Sequence, residues 1–361
     1  MLTPWQQIPL ESLLAEHGLA GLPERDFPTD GWSGARFSMI ERGDVRYVIK
    51  RTSLATDWIA AATDDVHLRE AWIAATWLGS TSDWAYLGAA GDGDGAAILL
   101  PDLSVELIAW DRPGHAPVVP IEHIDRVLHA LANLHAVPWP GRLEADAPFP
   151  WTPLPQRLLL TSRPMCARHI ASGIPAGVVS AERLLAGWDA FDRQATRPAR
   201  SLVADLSADP APLIRALSRL PAVGLHGDLK LANVAIGPGE LVRFIDWSMT
   251  IVAPVAVELG WFLVSNSGSL PEQPEAVLER YRRAASPPVE HEAIPEAAAE
   301  ERVLGDWQRQ VDLAMIVGLL LRGFRKGLDT EAGATLASGA PAKDDLAWWC
   351  ERAVAASARL G

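Results

Sequence analysis

The sequence reads HGDLKLANV at residues 226–234 and LVRFIDW at residues 241–247. Both stretches set polar groups into an aliphatic frame: Asp228 and Asn233 in the first, and Asp246 near the end of the second. A Gly-Pro-Gly turn between them predicts a hairpin of the strands NVAI and LVRFID. Because antiparallel pairing brings the start of one strand next to the end of the other, we expect Asn233 and Asp246 to lie together.

This set of polar groups suits phosphoryl transfer from ATP. That reaction needs a cation for the phosphates, oxygen ligands for Mg²⁺ and a carboxylate near the attacking hydroxyl. Mg²⁺ prefers a few hard oxygen ligands, and Asn233 and Asp246 offer an amide oxygen and a carboxylate. A loop can hold Asp228 a few ångströms from that pair, facing an acceptor hydroxyl. The alternative is a polar turn between two core strands.

The two stretches resemble the catalytic segment of the kinase-like fold. HGDLKLANV is similar to the HGDxxxxN form of aminoglycoside phosphotransferases, choline kinases and related small-molecule kinases. IDW at 245–247 matches the position of the DFG motif in protein kinases. The resemblance implies that Asp228 is the catalytic base or hydroxyl-orienting group, and that Asn233 and Asp246 are Mg²⁺ ligands. It also implies that Lys230 lies near the γ-phosphate as a catalytic residue.

The resemblance further implies a phosphate-covering loop in the N-terminal part of the chain. TDGWSGARFSMI at 29–40 is a glycine- and serine-containing loop that enters a strand, although it lacks the full GxGxxG form. Its candidate nucleotide-binding residues are Gly31, Ser33 and Gly34. Backbone N–H groups of such a loop can approach phosphates because glycine has no side chain.

Three further positions are candidate nucleotide contacts. Lys50 ends the strand YVIK and matches the lysine that contacts the α- and β-phosphates, and strand alternation favours it over the adjacent Arg51. Glu70 in LREAW is its expected helix partner, with a solvated surface pair as the alternative. LLPDLS at 99–104 resembles the adenine-binding hinge, which makes Leu100 and Asp102 candidates; for Asp102 a structural role is favoured over a ligand role.

The chain departs from the family pattern at two positions. The family often has a second acid just after the Asp-Trp pair, and here that position is Ser248. The acid of the following DLA/DLG segment is replaced by Glu258 in VELGWFL. The first change affects how a second metal ion would be held, whereas the second is conservative.

Periodicity along the chain predicts an α+β protein. Strands with a turn at 42–44 are expected in 37–50, and a further strand in 96–103, all before residue 104. The proline-rich segment 138–164 is expected to be irregular. Helices are expected at 9–20, 63–79, 121–136, 180–195, 209–219, 255–265, 272–285, 298–326 and 343–359. Together with the resemblance, this gives a two-lobed protein kinase-like fold, with a small strand-rich N-lobe at 1–104 and a larger, mostly helical C-lobe at 105–361.

Composition limits the classes of partner. The 361 residues are 49% hydrophobic and 21% charged, and the formal net charge is −13, which argues against binding to nucleic acid. Two distant cysteines indicate neither a disulfide framework nor a cysteine metal site. The N-terminus lacks the features of a signal peptide, and LAMIVGLLL at 313–321 is far shorter than a membrane span. We therefore expect a cytoplasmic protein without a membrane or nucleic-acid partner.

The expected function is ATP- and Mg²⁺-dependent phosphorylation of a hydroxyl on a small molecule. Two alternatives are a non-catalytic nucleotide-binding pseudokinase and a protein kinase; HGD in place of HRD and the lack of an APE segment argue against the latter. A cationic acceptor such as an aminoglycoside, amino sugar or amino alcohol is the specific hypothesis. It rests on acids and tryptophans of the C-terminal helical region, among which Asp306 and Trp307 are the candidate acceptor contacts.

Overall fold

The N-terminal part of the chain is built on one antiparallel sheet. The computed structural model describes residues 2–27, 31–76, 85–108, 118–137, 149–286 and 303–361. The sheet has the strand order β1-β2-β3-β5-β4. Its strands are β1 (Glu24–Asp26), β2 (Arg36–Arg42), β3 (Val45–Thr52), β4 (Gly88–Asp92) and β5 (Gly95–Pro101). The predicted hairpin at 37–50 is present, and Gly43 takes the left-handed backbone (φ +61°) that its tight turn requires.

Three helices accompany this sheet: α1 (Leu10–Glu16), α2 (Trp58–Ala62) and α3 (Arg69–Thr76). The prediction of one continuous helix over 63–79 is wrong, and its end at 77–79 lies outside the described residues. The side chain of Asp57 caps α2, and the Asp65 carboxylate accepts the Arg69 N–H at the start of α3. Aspartate competes with helical hydrogen bonding in this way, so the Thr-Asp-Asp segment separates two helices.

The remainder of the described chain is mostly helical, which confirms the predicted α+β class and the contrast between a strand-rich N-terminal part and a helical C-terminal part. The helices are α4 (Ile121–Ala136), α5 (Leu154–Leu159), α6 (Arg163–Ala171), α7 (Pro175–Gln194), α8 (Arg197–Ala208), α9 (Ala211–Leu217), α10 (Val255–Asn266), α11 (Pro274–Ala285), α12 (Trp307–Glu331) and α13 (Ala342–Ala356). Within the described residues, no helix combines the length and hydrophobicity that a membrane crossing requires. The boundary near residue 104 stays a prediction.

The expectation of irregular structure over 138–164 is wrong for residues 154–159 and 163–164, which are helical, whereas residues 149–153 and 160–162 form neither helix nor strand. Residues 138–148 lie outside the described chain, but α5 and the start of α6 fall inside the segment. Pro155 and Pro164 occupy the first turns of these two helices. Proline is tolerated there because the first-turn N–H groups have no partner within the helix.

Four short strands carry the segment that holds the two polar stretches. They are β6 (Val223–Leu225), β7 (Val234–Ile236), β8 (Val242–Phe244) and β9 (Ile251–Ala253). β7 pairs with β8 and β6 pairs with β9, both antiparallel, so the predicted hairpin is present. The chain following β5 joins this hairpin, because the Ile108 N–H donates to Val234 O and the Ile236 N–H donates to Glu106 O.

Helix α10 is the centre of the helical part. Every one of its residues is buried, and it packs along α12. A Cβ on Gly260 would lie 2.4 Å from Ala314 O, and a Cβ on Gly318 would lie 2.6 Å from the Trp349 ring. These glycines permit the close approach of α10 and α12. The rigid α10 thereby presents Glu258, at its first turn, and Asn266, at its end, to the HGDLKLANV segment.

Candidate active site

The segment 226–234 connects β6 to β7, and side chains of helix α10 bind its backbone amides. Gly227 has φ +84°, and a Cβ there would lie 1.9 Å from Met249 O, so only glycine fits. The buried Glu258 carboxylate accepts the N–H groups of His226 and Gly227, each at 2.8 Å. Asn266 Oδ1 accepts the Leu231 N–H at 2.9 Å. Two side chains of α10 therefore fix both ends of the loop that carries Asp228.

Glu258 also contacts a buried histidine, which in turn contacts a tyrosine hydroxyl. His135 Nε2 lies 3.3 Å from Glu258 Oε2, and His135 Nδ1 lies 2.6 Å from the Tyr281 hydroxyl oxygen. Burial alone would raise the pKa of Glu258, but His135, His226 and the Gly227 amide outweigh it and lower that pKa. The replacement of aspartate by Glu258 is thus accommodated by a buried polar network.

His226 acts as a neutral connector between the two polar stretches. Its Nδ1 accepts the Asp228 N–H at 3.3 Å, so Nε2 carries the proton and donates to Ile245 O at 2.9 Å. Burial lowers the pKa of His226, in agreement with the neutral tautomer. One imidazole therefore sets the separation between Asp228 and the residue that precedes Asp246.

The predicted catalytic pair and one predicted metal ligand lie together. Lys230 Nζ donates to Asp228 Oδ2 at 3.1 Å. Asn233 Nδ2 donates to the Asp228 carbonyl oxygen at 2.9 Å and to Oδ2 at 3.3 Å. The amide nitrogen of Asn233 therefore faces Asp228, and the amide oxygen Oδ1 is the atom that the predicted role as a metal ligand would use. Lys230 and Asn233 both contact the Asp228 carboxylate at Oδ2.

The hairpin brings Asn233 and Asp246 together as expected. Val234 pairs with Phe244, and one step further the Ile245 N–H donates to Asn233 O at 3.0 Å. Asp246 follows directly and has a left-handed backbone, with φ +67° and ψ +60°. This conformation is uncommon for a residue other than glycine and turns the chain out of β8. An amide oxygen and a carboxylate thus occur on adjacent ends of one hairpin, a donor set that fits Mg²⁺.

Lys50, Glu70 and Asp246 form an ion-pair cluster. Lys50 Nζ donates to Glu70 Oε2 at 2.6 Å and to Asp246 Oδ1 at 2.8 Å. Burial alone would lower the pKa of Lys50, but the two carboxylates outweigh it and hold that pKa well above its usual value. Burial would likewise raise the pKa of Asp246, but Lys50 and Lys230 hold it well below its usual range. Arg51, the alternative cation, instead pairs with Glu24 and Asp92 at the sheet surface.

Tyr86 is a member of this cluster that sequence reasoning missed. Its hydroxyl donates to Glu70 Oε1 at 2.6 Å and accepts the Asp246 N–H at 2.9 Å. The surrounding sequence carries no signal for this role, because a tyrosine just before a strand is ordinary core composition. Only the tertiary structure joins it to Asp246, 160 residues away.

The predicted phosphate-covering loop is anchored on two helices. Trp58 of α2 donates its backbone N–H to Ser33 O at 3.0 Å and its indole N–H to Trp32 O at 2.7 Å. Gly34 has φ +95°, and a Cβ there would lie 2.1 Å from Thr56 O, so this glycine is required by a close backbone approach. The Arg183 guanidinium of α7 lies over the Trp32 ring at 5.3 Å. Gly31 begins the described part of the loop.

The two hinge candidates lie at the end of β5. Leu100 is buried within the sheet. The Asp102 N–H donates to Arg46 O at 3.0 Å, and the Asp102 carboxylate lies 2.7 Å from Arg46 Nη2. Asp102 also accepts the Ser104 N–H at 2.9 Å. These contacts tie Asp102 to β3 and agree with a structural role.

Two arginines that sequence reasoning missed meet at the Trp261 ring, and one of them contacts the loop at 226–234. Arg157 of α5 is buried, donates its Nε–H to Gly227 O at 2.7 Å, and lies 4.5 Å above the Trp261 ring. The Arg322 guanidinium lies 5.3 Å from the same ring. Arg322 occupies a kink in α12, where Thr161 Oγ1 donates to Leu321 O. A side chain inserted into the hydrogen-bond ladder is a known cause of such kinks.

Asp306 and Trp307, the candidate acceptor contacts, lie at the start of α12. Asp306 is exposed, and its carboxylate caps the helix by accepting the Arg309 N–H at 3.0 Å. The Trp307 ring stacks on the Tyr281 ring at 6.2 Å. Among the contacts of the described residues, none joins either side chain to Asp228 or Asp246. The acids at 290–301 that motivated the cationic-acceptor hypothesis lie outside the described residues.

The chain was compared with solved structures, curated sequences and family models. Solved structures similar to the chain include a choline kinase from Streptococcus pneumoniae, with 12% identity, a TM-score of 0.46, and coverage of 92% of this chain and 93% of the kinase. An aminoglycoside phosphotransferase from Alicyclobacillus acidocaldarius has 15% identity, a TM-score of 0.39, and coverage of 94% and 89%. A spectinomycin phosphotransferase in complex with ADP and spectinomycin has 13% identity, a TM-score of 0.41, and coverage of 95% and 98%.

No curated protein sequence matches the chain. The model of the APH family, described as the phosphotransferase enzyme family, matches residues 27–299. The matched residues include strands β2 to β5 of the sheet, with Lys50, and the whole hairpin segment with Asp228 and Asp246. On this evidence the chain belongs to the phosphotransferase enzyme family.

Proposed function

We propose that this phosphotransferase transfers the γ-phosphoryl group of ATP, with Mg²⁺, to a hydroxyl group of a small molecule. The observation that carries the proposal is the junction of two clusters at one hairpin. Asp228, Lys230 and Asn233 form the first cluster, while Lys50, Glu70 and Asp246 form the second. The Ile245 N–H bond to Asn233 O joins them.

Each residue of the two clusters has its own role in the proposed reaction. Asn233 Oδ1 and the Asp246 carboxylate would hold Mg²⁺, which when bound neutralises phosphate charge. Lys50 stays an ammonium because two carboxylates face it, so it can also pair with phosphate oxygens. Asp228 Oδ1 would orient the acceptor hydroxyl and take its proton, and Lys230 would keep a positive charge beside Asp228.

The nucleotide contacts follow from the same arrangement. The backbone N–H groups of the loop with Gly31, Ser33 and Gly34 would face the phosphates, and the chain around Leu100 would face adenine. The spectinomycin phosphotransferase was solved with ADP, which supports a nucleotide at this kind of site. A cytoplasmic location is part of the proposal.

The acceptor class is proposed in two forms. An amino-bearing acceptor remains the first, with Asp306 and Trp307 as its predicted contacts. The names of similar structures support it, since they include a choline kinase and a spectinomycin phosphotransferase. The second form is an acceptor with an anionic group, because Arg157 and Arg322 concentrate positive charge around Trp261 beside the catalytic loop. Arg157 Nη2 is buried without a hydrogen-bond partner among the described residues.

Acceptor-dependent ATP consumption tests the proposal. The panel should hold amino alcohols, aminoglycosides, neutral sugars, hydroxy acids and sugar phosphates, each at low and high salt, with a peptide mixture included. The function stands if one small molecule raises ATP consumption in the wild type and not in Asp228→Asn. Binding of ATP with no turnover on any acceptor favours the pseudokinase, and peptide phosphorylation favours the protein kinase. High salt screens charge, so it distinguishes the two acceptor forms. Loss of activity at high salt with amino compounds supports the amino-bearing acceptor, and loss with anionic compounds supports the anionic acceptor.

A further inference from the structure

Four groups close a ring of hydrogen bonds at the edge of the candidate active site. Lys50 Nζ donates to Glu70 Oε2 and to Asp246 Oδ1. The Tyr86 hydroxyl donates to Glu70 Oε1 and accepts the backbone N–H of Asp246. Lys50 and Tyr86 therefore each join Glu70 to Asp246, one through the Asp246 side chain and the other through its backbone.

The direction of each hydrogen bond is fixed by chemistry. The ionised Glu70 carboxylate, paired with the Lys50 ammonium, only accepts hydrogen bonds, so the Tyr86 hydroxyl is the donor in its bond to Glu70. The Asp246 N–H can only donate, so it must bind a lone pair of the same hydroxyl oxygen. Tyr86 and Glu70 are both buried, and burial next to Glu70 raises the pKa of Tyr86 far above its usual value. The hydroxyl therefore donates one hydrogen bond and accepts another, so it connects Glu70 to the backbone of Asp246.

The hydrogen bond from the Asp246 N–H to Tyr86 involves a residue with an uncommon backbone conformation. Asp246 is the left-handed residue at the end of β8, and its carboxylate Oδ1 accepts a hydrogen bond from Lys50 Nζ. A residue other than glycine keeps such a conformation only where its surroundings hold it there. Tyr86 provides the hydrogen bond to that backbone from outside the hairpin.

We propose that Tyr86 is a positioning residue. Its hydroxyl holds the Asp246 backbone in the left-handed conformation that presents the Asp246 carboxylate to a metal ion. The same hydroxyl holds the Glu70 carboxylate in place beside Lys50. The inference rests on the proposed function, because Asp246 is a metal ligand only there. Tyr86 would act on the bound metal through its hydrogen bonds to Asp246 and Glu70. Its removal should weaken metal-dependent nucleotide binding more than it weakens the binding of nucleotide alone.

Tyr86→Phe tests the inference, because it deletes one oxygen and keeps the ring. Affinity for ADP should be measured by calorimetry with Mg²⁺ and with a chelator in place of the metal. We expect the Mg²⁺-dependent gain in ADP affinity to fall about tenfold, since the Asp246 N–H and Glu70 Oε1 lose a buried partner. Affinity without metal should change less than about threefold, because Lys50 keeps its bond to Glu70 Oε2.

Tyr47→Phe is the matched control. Tyr47 is a buried tyrosine of the same sheet, and its hydroxyl accepts from Arg42 Nη2 at 3.0 Å, outside the candidate site. This control should leave the Mg²⁺-dependent gain unchanged. A Tyr86→Phe protein that melts at a lower temperature yet keeps the full gain would show a structural role only and overturn the inference.

Two outcomes separate this inference from the proposed function. If the wild type gains no ADP affinity from Mg²⁺, the proposed function fails as well. If the wild type gains affinity and Tyr86→Phe gains as much, only the role of Tyr86 fails. Should the variant not fold, hydrogen exchange of the wild type decides, because the proposal requires a slowly exchanging Asp246 amide. Rapid exchange of that amide would overturn it.

Discussion

The two clusters of the candidate site are held by different forces. Lys50, Glu70 and Asp246 meet through charged side chains, although Lys50 and Asp246 are 196 residues apart. The loop around Asp228 is held through its backbone amides, two of which donate hydrogen bonds to the buried Glu258 carboxylate of α10. Lys50 and Glu70 are buried and Asp246 is half-buried, so their cluster is a set of charges that phosphate and metal can also contact at its open side, next to Asp246. The loop around Asp228 is instead fixed by hydrogen bonds from its own backbone amides to α10. The first arrangement suits binding, and the second suits a fixed catalytic geometry.

Asp228→Asn should have the largest effect on the reaction. The loop stays in place because Glu258 and Asn266 hold it, but an amide cannot accept the hydroxyl proton. We expect turnover to fall by about 10²–10⁴, the usual cost of losing a general base. Binding of Mg²⁺ and ADP should change little, since Asn233 and Asp246 are intact. Phosphate transfer in single-turnover assays measures the first effect, and calorimetry measures the second.

Asp192→Asn is the control for that change, because Asp192 pairs with Arg163 on the protein surface. It should leave turnover unchanged. If the Asp228→Asn enzyme retains turnover near the wild type, Asp228 is not the catalytic group.

Glu258→Ala should have the largest effect on stability. It leaves the amides of His226 and Gly227 buried without an acceptor, and it removes the partner of His135. Each unsatisfied buried group costs about 1–3 kcal/mol, so the free energy of unfolding should fall by about 2–5 kcal/mol. Urea denaturation measures the loss, and Glu258→Gln, which keeps one acceptor oxygen, should lose less.

Glu106→Gln provides the comparison with an ion pair of the ordinary kind. Glu106 lies 2.8 Å from Arg243, and both side chains are partly exposed. Such pairs contribute at most about 1 kcal/mol. An equal loss in Glu258→Ala and Glu106→Gln would show that the backbone of the loop does not depend on Glu258.

The contrast between the clusters also explains how much could be predicted from the sequence. Asp228, Asn233 and Asp246 lie in one short segment, so spacing and a single hairpin were enough to place them together. Lys50 was favoured over Arg51 by strand alternation, and the structure pairs it with Glu70 as expected. These relations depend on local geometry, which the sequence encodes directly.

The rest depends on tertiary contacts between distant segments. Tyr86 has no signature before the fold brings it to Glu70 and Asp246. Arg157 was hidden in a proline-rich segment that was expected to be irregular. Glu258 could be recognised as a conservative change, but its hydrogen bonds to two amides follow only from the placement of α10. The break between α2 and α3 arose from aspartate side chains that compete for backbone N–H groups.

Asp246→Ala should break the ion-pair cluster without unfolding the loop. The variant loses a metal ligand, so we expect Mg²⁺-dependent affinity for ADP to fall at least about tenfold. Affinity for ADP without metal should hold or rise, because a carboxylate that repels the phosphates is gone and Lys50 is released. Calorimetry with and without Mg²⁺ measures both. If Mg²⁺ raises the ADP affinity of the variant as much as that of the wild type, Asp246 is not the principal Mg²⁺ ligand.

The smallest predicted effect concerns pH and the buried imidazoles. Burial lowers the pKa of both His169 and His226, and each donates its Nε2–H to a backbone carbonyl, of Leu160 and of Ile245 respectively. Because the unfolded chain binds these protons more readily, stability is complete above a pH of about 6.5 and declines as the pH falls below it. Each histidine can contribute at most about 1.4 kcal/mol per pH unit there. In urea denaturation between pH 7.5 and 5.5, His169→Gln, whose amide can still donate to Leu160 O, should flatten the decline by no more than that amount. His129→Gln, at an exposed site on α4, should leave the slope unchanged. An equally steep decline in His169→Gln would mean that protonation of His169 does not drive the loss of stability.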